Sequence, residues 1–195
     1  QWVQMSSGIG NNESCFALAS SGTSVIAGMS SIGIYRSTNN GVNWTSTSLN
    51  NLSIFTLYVS GGTVYAGTSN GIYTSVNNGA NWTQSYLAGE GVGSILINGG
   101  FMYAGGTGVR VSSNGGASWV QYLAAYNIKA LAVSGATIFA AATSSGVWKS
   151  TNNGTNWTLS LSGTDPLTFL VSGSNVYAST TFSGLQMTSN SGTNW

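Results

Sequence analysis

Apolar and polar positions alternate along the chain in short stretches, each bounded by Gly, Ser or Asn. A period of two with this punctuation predicts half-buried β-strands joined by tight turns. No stretch sustains an apolar period of 3.6, so no amphipathic helix is expected. The strands recur in a fixed order. A first strand runs into a Ser-Gly turn, as in Leu57-Tyr-Val-Ser-Gly61, Leu131-Ala-Val-Ser-Gly135 and Phe169-Leu-Val-Ser-Gly173. A second sets a bulky residue before a small one, in Val25-Ile-Ala-Gly28, Val64-Tyr-Ala-Gly67, Met102-Tyr-Ala-Gly105, Ile138-Phe-Ala-Ala141 and Val176-Tyr-Ala-Ser179. A Gly then opens a third, at Gly33-Ile-Tyr35, Gly71-Ile-Tyr73, Gly108-Val-Arg110, Gly146-Val-Trp148 and Gly184-Leu-Gln186.

A polar octet turns the third strand into a fourth, and it is the strongest signal in the chain. It reads Ser37-Thr-Asn-Asn-Gly-Val-Asn-Trp44, Ser75-Val-Asn-Asn-Gly-Ala-Asn-Trp82, Ser112-Ser-Asn-Gly-Gly-Ala-Ser-Trp119, Ser150-Thr-Asn-Asn-Gly-Thr-Asn-Trp157 and Thr188-Ser-Asn-Ser-Gly-Thr-Asn-Trp195. The five tryptophans lie 38, 37, 38 and 38 residues apart. Four short antiparallel strands in each of five periods predict a single domain over residues 1–195, an all-β five-bladed β-propeller of four-stranded blades. The small residues Ala66, Ala104, Ala140 and Ala178 suit close packing between blades. Cys15 stands alone, so no internal disulfide exists, and it is expected to be a small buried side chain.

The octet resembles the Asp-box, or bacterial neuraminidase, repeat, written Ser/Thr-x-Asp-x-Gly-x-Thr/Ser-Trp. Asn39, Asn77, Asn114, Asn152 and Asn190 stand where that repeat has Asp, followed by Gly41, Gly79, Gly116, Gly154 and Gly192. The resemblance covers all five periods and implies a propeller with each box at the turn between third and fourth strands, serving as a folding element. Asn accepts backbone N–H bonds as Asp does, Gly allows a positive φ, and Trp anchors the turn. Without carboxylates these turns are poor calcium sites, and no metal or other cofactor is expected.

The last box ends at Trp195, and a fourth strand for the fifth blade is expected from elsewhere. Gln1-Trp-Val-Gln-Met5 is similar to Ser118-Trp-Val-Gln-Tyr122, the start of a fourth strand. The expectation is that this N-terminal strand, with Trp2 and Val3, closes the ring within the chain. The same logic admits a strand from a neighbouring subunit.

Charge removes whole classes of function. The chain has four Lys or Arg, three Asp or Glu and no His, with a net charge of +1. That offers no field for nucleic acid. No apolar run is long enough for a membrane helix, and membrane insertion is not expected. Solubility falls to 32 Ser, 21 Thr and 20 Asn. The start at Gln1, the low charge and triplets such as Asn43-Trp-Thr and Asn81-Trp-Thr point to a secreted or surface protein.

Catalysis lacks its parts. The family resemblance raises sialidase chemistry, but its arginine triad cannot be built from Arg36 and Arg110. A glycosidase needs two carboxyls about 5 to 9.5 Å apart, and the three acids, Glu13, Glu90 and Asp165, fall in different repeats. Each acid precedes a first strand, so together they could mark a ligand face opposite the boxes. Arg110 and Gln186 stand where other repeats have Tyr35, Tyr73 and Trp148, and could mark a groove. The expected function is a non-catalytic extracellular adhesion or structural module that self-associates. A glycan-binding lectin using loop aromatic and Asn groups is the alternative.

Overall fold

The computed structural model describes residues 3–10 and 13–195. Seventeen strands and no helix occur among the described residues. The first repeat forms β1 (Cys15–Ser21), β2 (Ser24–Met29), β3 (Ile34–Ser37) and β4 (Thr45–Ser46), one antiparallel sheet in chain order. The second forms β5 (Ile54–Ser60), β6 (Thr63–Thr68), β7 (Gly71–Ser75) and β8 (Thr83–Tyr86) in the same way. The third begins with β9 (Ser94–Asn98), followed by β10 (Phe101–Ser112) and β11 (Val120–Ser134); the fourth adds β12 (Thr137–Ala142), β13 (Gly146–Ser150) and β14 (Thr158–Leu161). The fifth contributes β15 (Pro166–Ser172), β16 (Asn175–Thr180) and β17 (Leu185–Thr188), a three-stranded sheet.

The third and fourth repeats depart from the expected strand count because two strands run on. Residues 101–105 of β10 pair with β9, whereas residues 107–111 pair with β11. β11 in turn pairs with β10 up to Asn127 and with β12 from Ile128, so it serves two repeats and β9 to β14 form one six-stranded sheet. The Thr107–Asn127 pairing carries the ladder across a connection that elsewhere leaves the sheet.

The chain divides into two compact units, Gln1–Val92 and Gly93–Trp195. Within each, successive sheets stack face on face. Register places Ala17, Ala19, Ile26, Gly28, Ile34 and Arg36 on one side of the first sheet, here called its back. In the first unit β5 lies on that back, and Ile26, Ile34, Ile54, Val64 and Ala66 form a fully buried cluster joined by Leu57, Tyr73 and Trp82. Each such aliphatic side chain contributes about 2 to 3 kcal/mol on burial. A Cβ on Gly28 would lie 2.5 Å from Ile54 Cγ2, and one on Gly105 2.9 Å from Ile128 Cγ2. Close approach of the sheets therefore explains the small residues that end the second strands. In the second unit the front of β15 meets the back of the fourth repeat, where Ala132, Phe139, Val147, Val176 and Ala178 are buried with Phe169 and Trp195 packed against them.

Candidate functional site

Five turns of one design occupy the octets. In the second, Ser75 Oγ donates to Asn77 Oδ1 at 2.9 Å and accepts from Gly79 N at 2.9 Å, while Asn77 Oδ1 also accepts from Asn81 N at 2.9 Å. The same three bonds recur around Asn39, Asn114, Asn152 and Asn190. The turn needs two successive left-handed residues, Asn78 at φ 56° and Gly79 at φ 80° in this repeat. Asn tolerates that region better than most side chains, which is why Asn40, Asn78 and Asn153 precede the box glycines.

The octets also join neighbouring repeats. The indoles of Trp82, Trp119 and Trp157 donate to the carbonyls of their own box glycines, Gly79, Gly116 and Gly154. Trp195 Nε1 instead donates to Ser160 Oγ, and its ring meets Phe139 edge-on at 6.1 Å. A Cβ on Gly79 would lie 2.7 Å from Ile26 Cδ1, and one on Gly192 2.8 Å from Phe139 Cε1, so each of these turns sits on the back of the preceding repeat. A cation locks it there. Arg36 Nε donates to Asn78 O at 2.9 Å, and Lys149 Nζ donates to Ser191 O and Gly192 O at 3.3 and 3.0 Å.

The predicted ligand-face acids lie where expected in the chain, each ahead of a first strand. Glu13 accepts a long 3.5 Å bond from Ser31 Oγ, and the Glu90 carbonyl accepts Gly71 N. Both belong to the first unit; Asp165, Arg110 and Gln186 belong to the second. Asp165 ties together three connections: its carboxylate accepts Ser144 N at 3.0 Å and Thr181 Oγ1 at 3.1 Å, and pairs with Lys129 Nζ at 3.4 Å. The Ser144 bond, with those from Thr181 and Lys129, holds this carboxyl below its ordinary pKa. Arg110 and Gln186 lie on the fronts of their third strands and are half-buried, and Gln186 Nε2 donates to Ser183 O at 2.8 Å. Among the described residues no group of three His, Cys, Asp or Glu is placed to hold a metal, and no helix is long and apolar enough to cross a membrane.

Two apolar surfaces that sequence reading did not single out are exposed. On the back of the fifth repeat, Leu170 is 65% and Leu185 68% exposed, with Met187 beside them. These two leucines line an apolar groove of about 290 Å³ with Tyr177, Thr168 and Ser179. Register and sequence align Leu185 with Ile34, Ile72, Val109 and Val147, all 0% exposed, and Leu170 with the buried Leu96 and Ala132. Nothing in composition distinguishes Leu185 from its buried counterparts, so the signal was not in the sequence.

The second surface is the front of the first repeat. Leu18 is 67% exposed, whereas its equivalents Leu57, Ile95, Leu131 and Phe169 are half-buried or buried. The N-terminal segment covers part of this front: Met5 O accepts Trp44 Nε1 at 3.0 Å, Ser7 O accepts Trp44 N at 2.8 Å, and Ile9 packs on Ala27, Met29 and Trp44. Val3, expected to pair as a fourth strand, lies in no strand and is exposed; Trp2 lies outside the described residues. Cys15 corrects an expectation, being exposed rather than buried.

No protein-family model matches the sequence, and neither does any curated protein. Solved structures supply the comparison. An ancestral GH74 enzyme superposes with a TM-score of 0.70 at 23% identity, over 92% of this chain and 28% of its own. The extracellular domain of a two-component system from B. thetaiotaomicron gives 0.71 at 18%, over 88% of this chain and 26% of its own. YCF48 bound to D1 peptide gives 0.71 at 14%, over 94% and 66%. The fold is of β-propeller type. The chain spans less than a third of the GH74 enzyme and of the two-component system domain.

Proposed function

We propose that the chain is a non-catalytic five-bladed propeller module, one blade per octet repeat, that acts outside the cell as a structural or adhesive unit by joining copies of itself. The observation that carries this reading is that the five octet turns, the strongest signal in the chain, spend their polar side chains on their own backbone, as Ser75 and Asn77 do. The low charge supports close approach of copies, since like-charge repulsion is weak. The turn geometry supports reading the octets as Asp-box turns in which Asn replaces Asp, because the side chain at that position is used through one acceptor oxygen. Asp165, the acid with the clearest environment, is engaged in holding loops together, which supports a structural role for it.

Low charge and the Asn-x-Ser/Thr triplets support the extracellular setting. Sedimentation velocity across a wide concentration range tests the proposal: the weight-average mass is expected to rise with concentration. A single monomeric species throughout would overturn it.

A further inference from the structure

We infer that Asn98, at the tip of the β9–β10 hairpin, is a site of spontaneous covalent modification, where the side-chain amide is lost by cyclisation onto the Gly99 nitrogen. The inference is independent of the self-association reading above.

The chemistry needs an Asn followed by a residue whose N–H is accessible and free to lose its proton. Glycine meets this best, having no Cβ to block the approach to the side-chain carbon. Six Asn-Gly steps occur in the chain, at Asn40, Asn70, Asn78, Asn98, Asn114 and Asn153. In sequence they are alike.

The structure separates them. In three octets the glycine N–H is already engaged: Gly41, Gly79 and Gly154 donate at 2.9 Å to the buried hydroxyls of Ser37, Ser75 and Ser150. Gly71 N donates to Glu90 O, and Asn70 Oδ1 accepts from Gly89 N at 2.7 Å. Asn114 is held by its own amide, since Oδ1 accepts from Ser112 Oγ and Ser118 N while Nδ2 donates to Ser118 Oγ, all at 2.9 Å. Each of these restraints lies within one compact unit.

Asn98 has none of them. It pairs with Phe101 to close a two-residue hairpin, so Gly99 N lies in the turn and outside the ladder. Among the described residues, none bonds to the Asn98 amide or to the Gly99 N–H. A Cβ on Gly99 or Gly100 would meet nothing within 4 Å, which leaves room for a five-membered ring. The other first hairpins carry Ser21, Ser60, Ser134 and Ser172 at this position and have no amide to lose.

Hydroxide removes the Gly99 N–H proton, and the nitrogen attacks Asn98 Cγ. The N–Cγ bond forms, the Cγ–Nδ2 bond breaks, and ammonia leaves with a proton taken from water. Water then opens the succinimide at either carbonyl, giving aspartate or isoaspartate; overall, each amide consumes a water and releases an ammonia. In isoaspartate the main chain is longer by a carbon, which two glycines at φ 56° and 85° can absorb. The added carboxylate takes the formal net charge from +1 to zero.

The test ages the full folded chain in mildly alkaline buffer and follows every Asn by peptide mass spectrometry, beside a sample unfolded in denaturant. In folded protein Asn98 should convert at least about tenfold faster than the other five, the rate equivalent of their keeping an ordinary hydrogen bond. In unfolded protein the six should convert at similar rates. The product should contain isoaspartate as well as aspartate, and its rate should rise in proportion to hydroxide. Asn98→Ser, which copies the other hairpins, should fold, as circular dichroism will verify, and should lack the early acidic species seen by ion exchange. Faster conversion at a held site, or an early acidic species that persists in Asn98→Ser, overturns the assignment. Asn98 that stays intact in folded protein while converting in unfolded protein overturns it too, because the hairpin would then protect the amide. Aspartate without isoaspartate refutes the cyclisation, since direct hydrolysis would be its source.

Discussion

At the residue scale, the octets show why an amide suffices where a related repeat uses a carboxylate. Asn77 Oδ1 accepts from Ser75 Oγ and Asn81 N, and neither bond requires a charge. Asn77→Asp should therefore leave thermal stability nearly unchanged. Asn77→Ala loses both bonds and leaves a turn N–H without its acceptor, at a cost of about 2 kcal/mol. Calorimetry on the pair decides; equal losses from both variants would show that the amide itself matters. The acceptor role was legible in the sequence, as was the positive φ of Gly79. The left-handed Asn78 before it was not, because Asn at that position also suits several ordinary turns.

At the scale of elements, the strand order and the turn positions follow from the period-two pattern, whereas strand ends do not. β10 and β11 run through connections that sequence reads as loops, because cross-strand pairing, not local propensity, decides whether Thr107 and Asn127 stay in a ladder. Loop roles are similarly tertiary. Asp165 joins β11, the β12–β13 connection and the β16–β17 connection, partners distant in sequence. Since its folded pKa is depressed, its contribution is present above the unfolded value of about 4 and is lost as pH falls through the folded value. Wild-type protein should thus lose stability below about pH 4 more steeply than Asp165→Asn. Parallel denaturant titrations across that range check it, and identical acid profiles would show that the carboxylate contributes nothing.

At the scale of the whole molecule, repeats that contact their neighbours have stabilities close to a sum of local and interface terms. Trp82 belongs to the second repeat but packs on the cluster of Ile26, Ile34 and Ile54 in the first unit. Trp82→Ala should cost about 3 kcal/mol, as large aromatic truncations do. Native-state hydrogen exchange should place the loss mainly in residues 1–92, and an equal loss in residues 93–195 would show that the chain unfolds as one cooperative block.

The repeat, its strands, the octet turns and the all-β class were determined by the sequence alone, because periodicity, turn chemistry and residue size act over a few neighbouring positions. Tertiary structure decided which of several equivalent apolar residues are covered. Leu185 and Val147 are chemically alike and hold the same strand position, yet Val147 is buried under a following repeat and Leu185 is open to water. Burial depends on what lies against a face, and a single residue's pattern of neighbours in sequence carries no record of that.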